Sequence, residues 1–309
     1  MIKNPMSLLF CTMLSSLIFA TTTAARADIG VVTTIKPIHS LVSSIMQGVA
    51  TPHLIIKGAG NPHAYNLRPS DAKALSNAAL VFWVGPQLEH FLESPLHTLS
   101  QNASIISLSD AKGLTLLSNQ EGDEAHDHQD THNHASSEID MHIWLSPLNA
   151  IVMADSITSA LQKADPDHKE IYLKNNAKLK NELEELDSKI KAQLADVTDV
   201  AYLTFHDAFL YFEHHYGLNQ IGAITLNPNV QPSPKKLFQI QETIKIKKPA
   251  CIFIEPQYDP RVVYAITEGQ NIKIASLDAI GFSMEEGPAL FGKLMHQNAK
   301  NIFDCLSSH

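Results

Sequence analysis

The chain has 309 residues, with 32 acidic against 23 basic side chains and a formal charge of −9 at neutral pH. Such an excess of negative charge repels a phosphate backbone and excludes nucleic acid as a partner. The length exceeds what one core usually serves, so two lobes are expected, and ordinary aromatic content (7%) fits a globular protein.

The N-terminus carries Lys3, an apolar run from Leu8 to Ala20 and the small residues Ala25-Arg26-Ala27. This is the layout of a secretory leader cleaved after Ala27, and the run is too short for a spanning helix of about 20 residues. Cys11 follows bulky Phe10, which makes it a poor lipid-attachment site, so no lipid anchor is expected. Losing Lys3 and Arg26 with the leader takes the formal charge from −9 to −11. The mature protein is expected in the periplasm.

β-Branched runs then alternate with helical patterns: a strand over residues 31–35, a helix over 38–47, a strand over 53–57, a helix opening at Ser70, and strands over 80–84 and 104–108. That alternation predicts parallel sheets covered by helices. Ser146-Pro147 reads as a helix start, a capping hydroxyl followed by a residue that needs no donor. Residues 167–196 lack Gly and Pro and space Ile171, Leu179, Leu183, Leu186, Ile190 and Leu194 along one face, as in a long amphipathic helix. A second series follows, with strands at 200–205, 220–225, 250–254 and 272–277 and helices opening near Ser233 and Pro260. The expected organisation is a leader (1–27), an N-terminal α/β lobe (28–165), a linking helix (166–196) and a C-terminal α/β lobe (197–309).

Residues 119–138 stand apart: His126, His128, His132 and His134 lie among acidic residues with almost nothing apolar. Such a segment cannot fold by burial, and its imidazoles suit zinc, copper or nickel in a secondary, collecting role. In an oxidising compartment the two mature cysteines, Cys251 and Cys305, are expected to pair as a disulfide.

Three further histidines sit where chain leaves a strand or enters a helix: His63 in Asn61-Pro62-His63-Ala64-Tyr65, His142 in Asp140-Met141-His142-Ile143-Trp144, and His206 in Thr204-Phe205-His206-Asp207. Ligand sites of open α/β sheets lie beyond the carboxyl ends of strands, where these segments are expected. Asp140 and Asp207 are placed to orient imidazoles, with helix capping an equal alternative for Asp207. Each histidine alone reads more readily as a structural or surface residue than as a ligand.

The segments PHAYNLRPSD, DMHIWLSP and FHDAFLYFE, with EPQYDP and SLDAIG more loosely, resemble the metal-specific solute-binding proteins of ABC transporters, and among them the zinc receptors. The resemblance spans nearly the whole mature chain in the expected order. It implies two Rossmann-like lobes joined by one long rigid helix, with the metal in the cleft between them. It also implies that His63, His142 and His206 are ligands, with Asp278 or a water as the fourth. Three imidazoles suit tetrahedral zinc, whereas manganese favours more oxygen ligands. The resemblance implies a non-enzymatic, monomeric receptor whose partner is a membrane permease. The alternatives are a zinc hydrolase, since three histidines and a water also build catalytic sites, and a metal buffer or adhesin without a permease.

Overall fold

A computed structural model describes residues 29–307 apart from Ala59, 119–138 and Asn227. The expected leader, with Cys11, and the histidines at 126, 128, 132 and 134 lie outside the described residues. Among these residues no helix is long and apolar enough to cross a membrane.

The expected α/β architecture is present as two parallel four-stranded sheets. In the N-terminal lobe, β1 (Val31–Thr33), β2 (His53–Leu54), β3 (Leu80–Trp83) and β4 (Ser104–Ser107) lie in the order β2-β1-β3-β4. In the C-terminal lobe, β5 (Tyr202–His206), β6 (Gln220–Thr225), β7 (Cys251–Ile254) and β8 (Lys273–Ser276) lie in the order β6-β5-β7-β8. Both orders reverse direction at the first strand. The crevices at these reversals, between β1 and β3 and between β5 and β7, are where open sheets bind ligands.

Helices α1 (Lys36–Ile45), α2 (Pro69–Ser76), α3 (Glu93–Leu99) and α4 (Pro147–Ala164) accompany the first sheet. The second is accompanied by α6 (Leu210–Tyr216), α7 (Pro234–Lys247), α8 (Arg261–Thr267) and α9 (Leu290–Leu306), and α5 (Lys169–Leu194) joins the lobes. The starts of α4 and α7 follow one chemistry. Ser146 Oγ accepts the Asn149 N–H at 3.3 Å and Ser233 Oγ accepts the Lys236 N–H at 3.2 Å, each with proline next in the chain.

Burial explains the layering. On β5, Leu203 and Phe205 face an outer cluster with Ile240 and Ile244 of α7 and Val263 and Ile266 of α8. Tyr202 points the other way, into a core that also contains Ile38 of α1, Trp144, Leu183 of α5 and Met295 of α9. This core runs through both lobes without interruption, so large displacement of one lobe would expose apolar surface. Helix α5 contributes Tyr172, Leu179, Leu183, Ile190 and Leu194 along one buried face and presents charge on the other. At about 1.5 Å per residue it is a strut of roughly 39 Å.

A strap from the C-terminal lobe is bolted to the N-terminal one. Lys36, at the first residue of α1, is buried, and its ammonium donates to the carbonyls of Gly281, Phe282 and Met284 at 2.8, 2.9 and 2.8 Å. Gly281 holds φ +74°, a conformation open to glycine that a side chain would strain. Trp144 Nε1 donates to Ala279 O at 2.8 Å, and Ser40 Oγ donates to Pro288 O while accepting the Phe291 N–H, both at 2.9 Å. Burial pushes the Lys36 ammonium below its ordinary pKa, against the pull of Asp278 and Glu286. The expected disulfide forms: Cys251 opens β7 and Cys305 lies near the end of α9, with Cα atoms 6.2 Å apart.

Candidate metal centre

His206 is the last residue of β5, in register with Thr225 of β6, and this places it at the mouth of the crevice between β5 and β7. Glu255 directly follows β7, the neighbouring strand, so the two ends meet. Glu255 Oε1 accepts from His206 Nδ1 at 3.0 Å, and both side chains are 2% exposed. Gln257 Nε2 holds the other carboxylate oxygen at 2.8 Å. With Nδ1–H committed to a carboxylate, Nε2 carries the lone pair.

His142 is built by a local turn. Asp140 Oδ1 accepts both the backbone N–H of His142 at 2.8 Å and its ring Nδ1–H at 2.6 Å. The same tautomer results, with Nε2 free to bind. A 3₁₀ turn over Ile143–Leu145 then leads into α4. Burial alone would lower the His142 pKa, but the Asp140 carboxylate, charged and hydrogen-bonded, raises it overall.

His63 sits in the turn from Asn61 to Ala64, which are bridged to each other, and its N–H is accepted by Asn61 Oδ1 at 2.9 Å. It is half-buried, whereas His142 and His206 are 6% and 2% exposed. Its pKa is pushed down to about 3 by burial, reinforced by the charge that His142 and His206 would carry. It therefore stays neutral, the form a metal requires.

The structure brings the three rings together. One ligand nitrogen from each of His63, His142 and His206 lies within 4.8 Å of the others, and among the described residues this is the only such group of histidine, cysteine or carboxylate side chains. The ring centroids are 5.0 to 5.5 Å apart. Asp278 is not brought into this group. Its Oδ1 accepts the N–H groups of Ile280 and Gly281 at 3.0 and 2.8 Å, and its Oδ2 accepts that of Phe282 at 2.7 Å. The carboxylate is spent shaping the strap whose carbonyls hold Lys36. Asp207 places its carboxylate 3.5 Å from Gln220 Nε2, and burial raises its pKa, followed by the charge of Asp140.

The neck of the histidine-rich segment is fixed. Ser118 and Ile139 form a bridge, and Tyr211 of α6 donates to the Asp140 carbonyl at 2.7 Å and accepts the Leu117 N–H at 3.1 Å. Both ends of the segment are thus anchored against the C-terminal lobe, beside the carboxylate that orients His142.

Residues 31–305 match the family described as ZnuA, the periplasmic zinc-uptake complex component A. The chain belongs to the ZnuA family. Among its relatives, the high-affinity zinc uptake system protein ZnuA of Brucella suis biovar 1 is 37% identical over 306 residues, which cover 90% of this chain and 92% of the relative. A crystal structure of ZnuA is similar with a TM-score of 0.77 at 25% identity, covering 90% of this chain and 100% of that one. A ZnuA deletion mutant with zinc bound is similar with a TM-score of 0.76, also at 25% identity, covering 91% and 100%.

Beside this histidine cluster, Glu255 is the residue that pattern reading does not assign. Its segment, Glu255-Pro256-Gln257-Tyr258, was legible only as a loose match, because the adjacency of β5 and β7 that brings Glu255 to His206 is tertiary. Glu255→Gln keeps the size but gives the imidazole a weaker acceptor. It is expected to lower zinc affinity about 10- to 100-fold, in line with other outer-shell substitutions. Competition with a zinc chelator of known affinity measures this, and an unchanged affinity would remove Glu255 from the site.

Proposed function

We propose that this chain captures zinc in the periplasm on His63, His142 and His206 and delivers it to the permease of an ABC-type importer. The observation that carries the reading is His206 Nε2. It is buried and meets no hydrogen-bond partner among the described residues, while Nδ1 of the same ring is tied to Glu255. An unpartnered buried polar atom costs about 1–3 kcal/mol, and a cation among three lone-pair nitrogens removes that cost. Zinc accepts this donor set in tetrahedral geometry. The naming of the relatives as zinc uptake proteins and the zinc-bound deletion mutant support zinc as the cargo. The periplasmic family description supports the location, reached through the leader ending at Ala27. A water takes the fourth position, because both Asp278 oxygens are committed to the strap. The histidine-rich segment acts beside this site as a weaker collector.

Calorimetric titration of the metal-stripped mature protein with zinc tests the reading. One tight site is expected, kept when residues 119–138 are deleted and when Asp278 is replaced by asparagine, and lost in His63→Ala and His142→Ala. Affinity that follows the histidine-rich segment alone would reverse the assignment.

A further inference from the structure

The contacts between the lobes are unevenly divided around the metal centre. On one side they are buried and multiple: Lys36 on three carbonyls, Trp144 on Ala279, and Tyr211 on Asp140. On the segment that carries His63 the polar contacts between the lobes, among the described residues, are exposed: Lys57 lies 3.6 Å from Glu286 of the strap, and at the turn itself Asn61 Nδ2 donates to Asn229 Oδ1 at 2.7 Å. The same Asn61 side chain accepts the His63 backbone N–H through Oδ1. One asparagine thus connects a metal-binding turn to the opposite lobe.

The three histidines differ in the same sense. His142 and His206 have their rings fixed by buried carboxylates, on segments that belong to the core. His63 is half-buried and is placed through its backbone on a short turn. It can withdraw without disturbing the apolar core, and local opening of this kind draws on the least buried parts of a fold.

We propose that Asn229 is a positioning residue for metal capture: through Asn61 it holds the His63 turn over the other two histidines, and the cleft opens for zinc on this side. The strap on Lys36 then acts as the fixed edge about which that side yields. An exposed neutral hydrogen bond is weak, which suits a contact that must break in every cycle of capture and release. The inference rests on the three-histidine reading and goes beyond it by assigning the side of exchange and the residue that closes it.

The test follows loss of zinc from the loaded full-length mature protein to a fluorescent chelator in a stopped-flow instrument. Asn229→Ala should release zinc about threefold faster, the scale of one exposed hydrogen bond. The absorption bands of its Co2+ form should stay unchanged, because the ligands are the same. Asn229→Asp keeps an acceptor toward Asn61 Nδ2 and should bring the rate back toward wild type. In a second protein, Asn61→Cys with Asn229→Cys is joined by a short photocleavable thiol linker; Cys251 and Cys305 are already paired, so only the new thiols react. Tethering should slow release about tenfold or more, and light should restore it.

Release from Asn229→Ala at the wild-type rate overturns the proposal, as does tethered protein that exchanges as fast as the cleaved form. An equal rise in Asn229→Ala and Asn229→Asp assigns the effect to the fold of the loop and overturns it too. A wild-type chain that takes up no zinc fails the three-histidine reading itself, and this inference falls with it.

Discussion

Replacing His206 with alanine is expected to weaken zinc binding by two to three orders of magnitude. Structural zinc sites bind with apparent free energies of about 10–16 kcal/mol, so one ligand in four accounts for about 3–4 kcal/mol, and each 1.4 kcal/mol is about tenfold. A second effect separates His206 from His63. Removing His206 leaves the Glu255 carboxylate, 2% exposed, with Gln257 as its remaining side-chain partner among the described residues. The metal-free variant should therefore also lose about 2 kcal/mol of stability. His63→Ala should lose zinc affinity with less damage to the apo fold, because His63 is half-buried and its hydrogen bond to Asn61 is made by the backbone. Calorimetry with zinc and thermal unfolding of the metal-free proteins measure the two effects separately. If His206→Ala bound zinc as tightly as wild type, the centre would lie elsewhere.

Removing the disulfide with Cys251→Ser and Cys305→Ser together should lower the melting temperature by roughly 10 °C. The bridge closes a separation of 54 residues, which in the loop-entropy account stabilises the fold by about 4 kcal/mol. For a chain of this size about 2–4 °C accompanies each kcal/mol. Zinc affinity should change little. Cys251 is at the start of β7 whereas Glu255 follows its end, and β7 stays paired with β5 and β8 on either side. Differential scanning calorimetry of the double variant, with zinc titration at a temperature below both transitions, checks both statements. A variant that melts with the wild type would show that other contacts already hold α9 in place.

Much of the fold was legible because the chain obeys simple periodicities. Strand β6 occupies the residues its alternation predicts, Gln220–Thr225, and α4 and α7 begin at the serine caps. Strand β2 stops at Leu54 instead of continuing to Lys57. Ile55 and Ile56 still donate to the carbonyls of Thr33 and Thr34 at 2.9 Å, but the chain bends there toward the His63 turn. Helix α9 is the largest element that the reading passes over. Leu290, Leu294, Met295, Ala299 and Ile302 recur at helical spacing and are buried, yet Gly292 and the polar run His296-Gln297-Asn298 interrupt the pattern. Helix α3 was also missed, a seven-residue element with Pro95 inside it.

The candidate centre was legible in part, on other grounds. The three histidines stand at strand ends and turns where open sheets bind ligands, but it is the family resemblance of their segments that marks them as ligands; Asp140, two residues before His142, is read as orienting it and does meet its Nδ1 at 2.6 Å. Glu255 was not legible, since nothing in a linear pattern says which strands are neighbours. Asp278 shows the opposite problem. A carboxylate followed by free N–H groups at the second, third and fourth residues can satisfy itself locally, and here it does so with Ile280, Gly281 and Phe282.

Helix α9 has a consequence for the order in which the molecule is assembled. It packs against α1 and α5 as well as against β8, and its Leu294, Met295, Ala299 and Ile302 complete the same core that contains Ile38 and Trp144. His63, His142 and His206 all precede it in the chain, but the strut and the N-terminal lobe are covered only once α9 arrives. A polypeptide that folds from its N-terminus therefore cannot finish its first lobe and then its second, as separately folding domains do. Both lobes close together, late, and a chain stalled before Leu290 would carry every histidine of the centre on a scaffold that still lacks its last wall.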